Sequence, residues 1–570
     1  MLEKGGNAFD AAVATGFVLQ VVEPHLNGLG GEVPILFRSA KDGKVRVLCG
    51  QGVAPARATI DAYRGMGLEM VPGAGLLAAV VPGAFDAWML LLRDHGTLPL
   101  ADVLAPAIEY AGNGYPLLPR VAEAIANVQE LFSYEWPSSG SLYLKDGAPP
   151  PPNELFRNAA LAGTYARLVQ KSETGGYDRE TQIDAARAAF YRGFVAQEIH
   201  QFCAEKELMD SSGERHKGLL AFDDMANWSA TYEDPLTYDY QGYTVHKTGP
   251  WGQGPVFLQQ LALLSGFDLG AMEPNGAAFV HTIVECAKLA FADREAYYGD
   301  PNFSEVPMAA LLSGAYNEAR RKLVTAEASF DQRPGLIPGF EDQIRNAVPA
   351  LAGEEPNPIA GIGEPTMANL SGAKPAEAPG DTCHLDVIDR DGNVVSATPS
   401  GGWLQSSPVI PELGMSLTTR AQMFWLTEGV PGSLAPKKRP RTTLTPSIAT
   451  RGDEILAFGT PGGDQQDQWT LTFFLRHVHH GLNLQENIDS PLFHTRHFPS
   501  SFYPRTAAPG HIVVEDRLPE GTIAELEACK HIVERQGPWT IGRICAASKT
   551  NGILKAAATP RLMQAYAVAR

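Results

Sequence analysis

Three places in the chain gather residue types capable of chemistry. The first is Asp381-Thr382-Cys383-His384, where a proline- and glycine-rich segment gives way to a strand pattern. Cys383 is the more reactive side chain in isolation, but adjacent strand residues point to opposite faces, so His384 is poorly placed as its base. Thr382 is a weak nucleophile inside a chain. As a chain N-terminus it would carry its own base, an α-amino group of reference pKa about 8, and could form an acyl-enzyme. The local pattern by itself reads as the ordinary first residue of a hairpin strand.

The second place is histidine-rich: His477, His479 and His480, then His494 and His497. No Asp, Glu or Cys joins them at a familiar metal-ligand spacing, so the first three are expected to sit at a helix end, beside its negative dipole, with Gly481 as the stop. No metal and no other cofactor is expected. The third is Gly459-Thr460-Pro461-Gly462-Gly463, which is neither a phosphate loop nor a dinucleotide fingerprint. Its backbone N–H groups would open a helix and could hold negative charge, including the oxyanion of an acyl transfer.

The elements that must position these residues follow from periodicity. A small-residue helix is expected over 7–21, followed by a glycine turn at Gly28, Gly30 and Gly31 that brings backbone close either to a ligand or to another backbone. Helical patterns dominate from about 84 to 320, with a hairpin at Leu236–Tyr240 and Tyr243–Lys247. Residues 327–381 show little periodicity and read as a flexible tail. A hairpin is expected at His384–Asp389 and Val394–Thr398 around Asp391-Gly392, then strands within Ser447–Thr460 and a helix over Gln465–His480. The sum is a layered α/β protein.

Composition narrows the partners. A net charge of −18 disfavours nucleic acid, which is bound through Lys and Arg, and no nucleic-acid partner is expected. No stretch reaches the roughly 18 to 20 apolar residues that span a bilayer. Residues 76–91 come nearest and are interrupted by Pro82, so no membrane partner is expected. The six cysteines are scattered and read as reduced thiols. Met1-Leu2-Glu3-Lys4 runs straight into the first helix without a signal core, which gives a cytoplasmic expectation for the chain as it stands.

Taken in order, several segments resemble the γ-glutamyltransferase family of N-terminal-nucleophile hydrolases. They are Gly5-Gly6-Asn7-Ala8 with Asp10-Ala11-Ala12, Glu23-Pro24-His25, Val81-Pro82-Gly83, Ala292-Asp293-Arg294 with Gly299-Asp300-Pro301, Thr382-Cys383-His384 with Asp391-Gly392-Asn393, and Pro461-Gly462-Gly463. The resemblance implies a four-layer αββα fold and a precursor that cuts itself between Asp381 and Thr382. The products would be a large subunit, 1–381, and a small subunit, 382–570, which together form a heterodimer. It further implies Thr382 as nucleophile, Thr398 and Ser400 as neighbouring hydroxyls, Gly462 and Gly463 as the oxyanion hole, and a γ-glutamyl or related acyl amide, such as glutathione, as substrate. The family's donor-binding arginine falls on Gln51, its acidic pair on Gln422 and Met423, its asparagine on Gly402, and its paired serines on Thr442 and Thr443. The catalytic set is therefore retained while the charges that hold a γ-glutamyl group are not. Arg420 and Arg441 are the candidates to replace them. An uncleaved scaffold or binding relative is the alternative reading.

Overall fold

In the computed structural model, which describes residues 1–351 and 382–569, the chain divides into two compact units. The first holds residues 1–233, 382–426 and 434–440; the second holds 234–351, 427–433 and 441–569. Each unit takes chain from both sides of Thr382.

The strands of the two larger sheets, in chain order, are β1 (Val33–Arg38), β2 (Val45–Gly50), β3 (Thr231–Glu233), β4 (Leu236–Tyr240), β5 (Tyr243–Lys247), β6 (Leu385–Ile388), β7 (Val394–Ala397), β8 (Ser447–Arg451), β9 (Glu454–Gly459), β10 (Cys545–Thr550) and β11 (Ile553–Ala558). In the first unit the antiparallel order is β6-β7-β1-β2-β3, so strands that follow Thr382 pair directly with strands that precede it. In the second the antiparallel order is β11-β10-β9-β8-β5-β4, mixed in the same way. Sheets and helices together bear out the α/β class.

Local chemistry explains the elements. Helix α1 (Ala8–Val22) begins in a capping box in which the Asn7 side chain accepts from Asp10 N and Asp10 accepts from Asn7 N. Asp10 is wholly buried and also accepts from Thr97 N, Thr97 Oγ1 and Leu98 N. The motif 5–12 thus starts a helix and anchors a loop. Asp389 ties the other side of the sheet: it accepts from Ala8 N and from the three backbone N–H groups of residues 391–393, which closes the expected hairpin turn. Gln241 and Gly242 both take positive φ, at 50° and 81°, as a two-residue hairpin turn requires.

The helix α2 (Ala277–Tyr297) is buried along nearly its whole length. A further helix, Glu341–Leu351, lies where little periodicity was expected. Its acidic first turn, Glu341-Asp342, is favourable, and the Pro and Gly of the 327–381 segment lie mainly on either side of it. The rest of the expected flexible tail, and Asp381, lie outside the described residues. Helix α3 (Gln466–His480) ends at Gly481 in the left-handed conformation, φ 66°, with His477 Nδ1 donating to Leu482 O, as a helix-end role demands. Among the described residues no helix is long and apolar enough to cross a membrane.

Burial holds three histidines of the second unit neutral. His497 and His531 are pushed down to about 3, and His494 well below its usual value, in each case first by burial. Their folded values lie below the unfolded one. The stabilisation is therefore complete above about pH 6.5 and is lost as pH falls, by about 1.4 kcal/mol per pH unit for each histidine. The thermal midpoint is expected to drop steeply between pH 7 and pH 5, and His494→Asn should flatten that slope in melts followed by circular dichroism.

Candidate active site

Thr382 extends strand β6 toward its N-terminal side. It forms a bridge with Ser400, and Ser400 forms a second bridge with Glu32, so the three residues make one row across three segments. Such close passage needs glycine. A side chain on Gly28, Gly30 or Gly31 would collide with the carbonyl oxygens of Gly402, Ser416 and Ser400 respectively. Of the two uses open to that turn, backbone packing is the one it serves.

Thr382 Oγ1 lies 3.0 Å from Ser400 Oγ. Ser400 Oγ in turn accepts from Arg420 Nη2 at 3.2 Å, and the Arg420 Nε and Nη2 groups both reach Glu32 Oε1, at 2.6 and 2.5 Å. The Arg420 guanidinium also stands over the Trp403 ring, 5.5 Å from its centroid. All four polar residues of this chain are at most 2% exposed. A buried guanidinium needs its carboxylate, and the carboxylate needs it in return. Arg420 is therefore a strut under Ser400, held by Glu32, rather than an open clamp for a substrate carboxylate.

One residue along each strand, the side chains turn to the other face. Cys383 Sγ donates to Glu23 Oε2 and accepts from Asn27 Nδ2, both at 3.2 Å, well apart in partners from His384, which meets Thr398 and Asp386. Cys383 and His384 do not form a nucleophile and base pair.

The remaining residues singled out from the sequence are mostly buried. In the first unit, Gln51 follows β2 directly, and among the described residues its Nε2 reaches only Gly52 O, at 3.5 Å. Gln422 Nε2 donates to Gly73 O at 3.0 Å, Met423 packs with its sulfur 3.9 Å from Arg420 Nη1, and Gly402 is the crowded backbone beside Gly30 and Gly31. None of these carries a charge. In the second unit, Gly462 and Gly463 take positive φ, 121° and 56°, immediately before α3. Their turn is fixed by Arg294, which donates to Asp464 Oδ1 and to Gln253 Oε1, while Gln253 Nε2 donates to Gly463 O. Arg441 is held by Glu295 at 2.8 Å and Ser501 at 2.9 Å, so it too is engaged internally. Thr442 N donates to Trp251 O, and the buried Thr443 hydroxyl has no partner among the described residues.

Among the described residues, His477, His479, His480, His494 and His497 do not come together as a group of potential metal ligands. Among the described residues one trio of potential ligands does come together, His281, Glu285 and His531. Most of their polar atoms already meet protein partners: His281 Nε2 donates to Thr325 O at 2.7 Å, His281 Nδ1 faces His531 Nε2 at 2.9 Å, and Glu285 holds Lys288 at 2.6 Å and Arg333 at 3.3 Å. Two cations on its single carboxylate make the trio a poor host for a divalent ion.

Sequence reasoning missed Glu32, Asp386 and Asp464, the carboxylates that organise these sites. Signals existed for the first two: a lone acid beside Gly30-Gly31, and an acid two residues after His384 on the same strand face. Glu32→Ala is expected to cost about 3 to 5 kcal/mol of stability by stranding the buried Arg420 charge. Glu154→Ala, at the exposed Lys145–Glu154 pair, should leave the urea midpoint almost unchanged. Equal effects in urea titrations would contradict the strut.

Comparison with known proteins supplies the family. The model of the gamma-glutamyltranspeptidase family matches residues 1–569. The glutathione hydrolase-like YwrD proenzyme of Bacillus subtilis (strain 168) is 30% identical over 570 residues, covering 98% of this chain and 94% of the relative. The solved structure of LmbA2991HD is 54% identical with a TM-score of 0.91, covering 100% of this chain and 95% of its own. The cephalosporin acylase from Bacillus halodurans is 27% identical with a TM-score of 0.79, covering 98% and 91%. The N-terminal-nucleophile hydrolase fold implied by the sequence is thereby shown, and its relatives are named hydrolases and acylases. The chain belongs to the gamma-glutamyltranspeptidase family of enzymes.

Proposed function

We propose that this protein is a self-cleaving amidohydrolase and acyltransferase whose nucleophile is Thr382, freed as a chain N-terminus by cleavage after Asp381. The observation that carries the reading is the hydroxyl pair Thr382 Oγ1 and Ser400 Oγ, 3.0 Å apart and buried, with Arg420 donating to the second member. With one lone pair of Ser400 taken by the guanidinium, the Ser400 hydroxyl is oriented against Thr382. The word proenzyme in the name of the Bacillus relative supports a processed precursor.

The chemistry follows. Thr382 Oγ attacks the amide carbonyl carbon, and its proton passes through the α-amino group to the leaving nitrogen. The C–N bond breaks and an ester remains on Thr382. Gly462 and Gly463 supply the N–H donors for the oxyanion, a role suited to a positive-φ turn at a helix start. Water or an amine then attacks the ester, and Thr382 Oγ leaves with a proton.

The donor is read as an acyl amide other than a γ-glutamyl one. Gln51, Gln422 and Met423 are neutral where the family's donor clamp is charged, and Arg420 and Arg441 are already paired. A charge-assisted hydrogen bond contributes about 1.5 to 3 kcal/mol, so loss of the clamp costs roughly tenfold or more in kcat/KM on a γ-glutamyl donor. The relatives named glutathione hydrolase-like and cephalosporin acylase mark the two donor classes to compare.

Denaturing electrophoresis with N-terminal sequencing is expected to show two fragments, the smaller beginning at Thr382, while Thr382→Ala stays a single chain of 61.3 kDa. Normal cleavage of Thr382→Ala would sink the scheme. In turnover assays, glutaryl amides, which keep the carboxylate but lack the α-amino group, should be hydrolysed at least as efficiently as γ-glutamyl-p-nitroanilide. Preference for the γ-glutamyl donor would overturn the substrate assignment alone.

A further inference from the structure

Self-cleavage poses a problem that turnover by the mature enzyme does not. While Asp381 and Thr382 are joined, the Thr382 nitrogen belongs to a peptide bond and accepts no proton, so the base used by a free N-terminus does not yet exist. Some other group must take the Thr382 Oγ proton.

The first unit holds one on the same strand face. The register that opposes Thr382 to Ser400 continues through Leu385 with Ala397 and Asp386 with Ser396. Since side chains alternate, Thr382, His384 and Asp386 share a face with Ser400, Thr398 and Ser396. On that face His384 Nδ1 lies 3.0 Å from Thr398 Oγ1 and His384 Nε2 lies 3.0 Å from Asp386 Oδ2. The His384 side chain is 0% exposed and that of Asp386 is 1%. Asp386 Oδ1 and Ser396 Oγ have no hydrogen-bond partner among the described residues.

A buried carboxylate served by one imidazole is expensive as a packing element, because an apolar pair would fill the same space without desolvation. It suits proton transfer. The carboxylate fixes Nε2 as the N–H end of the ring, leaves Nδ1 as an acceptor facing a hydroxyl, and stabilises the imidazolium once formed. The hydroxyl it serves, Thr398, directly follows β7 and lies two residues from Ser400 on the same face.

We infer that Asp386 and His384 are positioning residues of self-cleavage, acting through Thr398; the inference rests on the reading of Thr382 as the cleavage site. The Thr382 Oγ proton passes to the Ser400 hydroxyl and, through a water bridging the roughly 7 Å between residues two apart on one face, to Thr398 as the Thr398 proton moves to His384 Nδ1. The Thr382 Oγ bond to the Asp381 carbonyl carbon forms and the C–N bond breaks. His384 returns a proton by the same row to the Thr382 nitrogen, which becomes the free amine. Water then hydrolyses the ester, leaving the Asp381 carboxylate and the Thr382 hydroxyl.

The test follows conversion of freshly purified full-length precursor to fragments in wild type, His384→Gln, Asp386→Asn and Asp386→Glu, with thermal midpoints measured alongside. Glutamine can hydrogen-bond to Thr398 but cannot take a proton. His384→Gln and Asp386→Asn are expected to cleave about 100-fold more slowly with midpoints close to wild type, and Asp386→Glu to recover most of the rate. Cleavage of either slow variant within about threefold of wild type, or a slow Asp386→Glu, overturns the inference and leaves the nucleophile assignment standing. Should His384→Gln not fold, Asp386→Asn decides. Failure of both to fold identifies a folding element and overturns the inference too. A wild-type chain that never yields a Thr382 terminus overturns the assignment of Thr382 itself.

Discussion

Arg420 and Glu32 are both out of water, and the surroundings of Thr382 are arranged by the need to keep them paired. The pair joins the segment before β1 to the loop after β7, and Ser400 continues the hydrogen-bonded chain from Arg420 to Thr382. An ion pair at this depth gains little net stability compared with well-packed apolar residues. What it does supply is geometry, since a guanidinium held by a fixed carboxylate has few directions left in which to donate. The glycines at 28, 30 and 31 exist to let that geometry form, by letting one backbone lie against another.

The same device recurs in the second unit. Arg294 is held by Glu295 and Asp464 and fixes the turn that carries Gly462 and Gly463. In both places a buried arginine braces backbone or hydroxyl groups, and its charge is consumed internally. Arginines near such sites invite a reading as substrate clamps. Here Arg420 and Arg441 have their own carboxylates, which shifts attention to neutral groups such as Gln51 and the Thr443 hydroxyl.

Elements with strong periodicity or turn chemistry were legible in the sequence. The hairpins at 236–247 and 385–397, the helix ended by Gly481 and the first helix all follow from residues a few positions apart. Their stabilising interactions are local, so the chain order contains them. Glu341–Leu351 was hidden because a short favourable run is averaged away within a segment rich in proline and glycine. The candidate site was legible at Thr382, Thr398 and Ser400, positions that family order proposes. It was not legible at Glu32 with Arg420, which are 388 positions apart, or at Arg294 with Asp464, 170 apart. Pairing of that range is decided by tertiary packing, and no local pattern records it. The His384 and Asp386 alternation was visible but had no partner until register placed Thr398 opposite.

The mixing of strands from both sides of residue 382 bears on what a cut there would do. In the first unit β7 lies between β6 and β1, and in the second β8 lies between β9 and β5, so each sheet would run continuously through both products. Two such chains are bound by hydrogen-bond ladders and a common core, not by a docking patch. Their separation is the same event as denaturation. Dilution, which dissolves ordinary heterodimers by mass action, would leave this pair together at any concentration at which the fold itself survives.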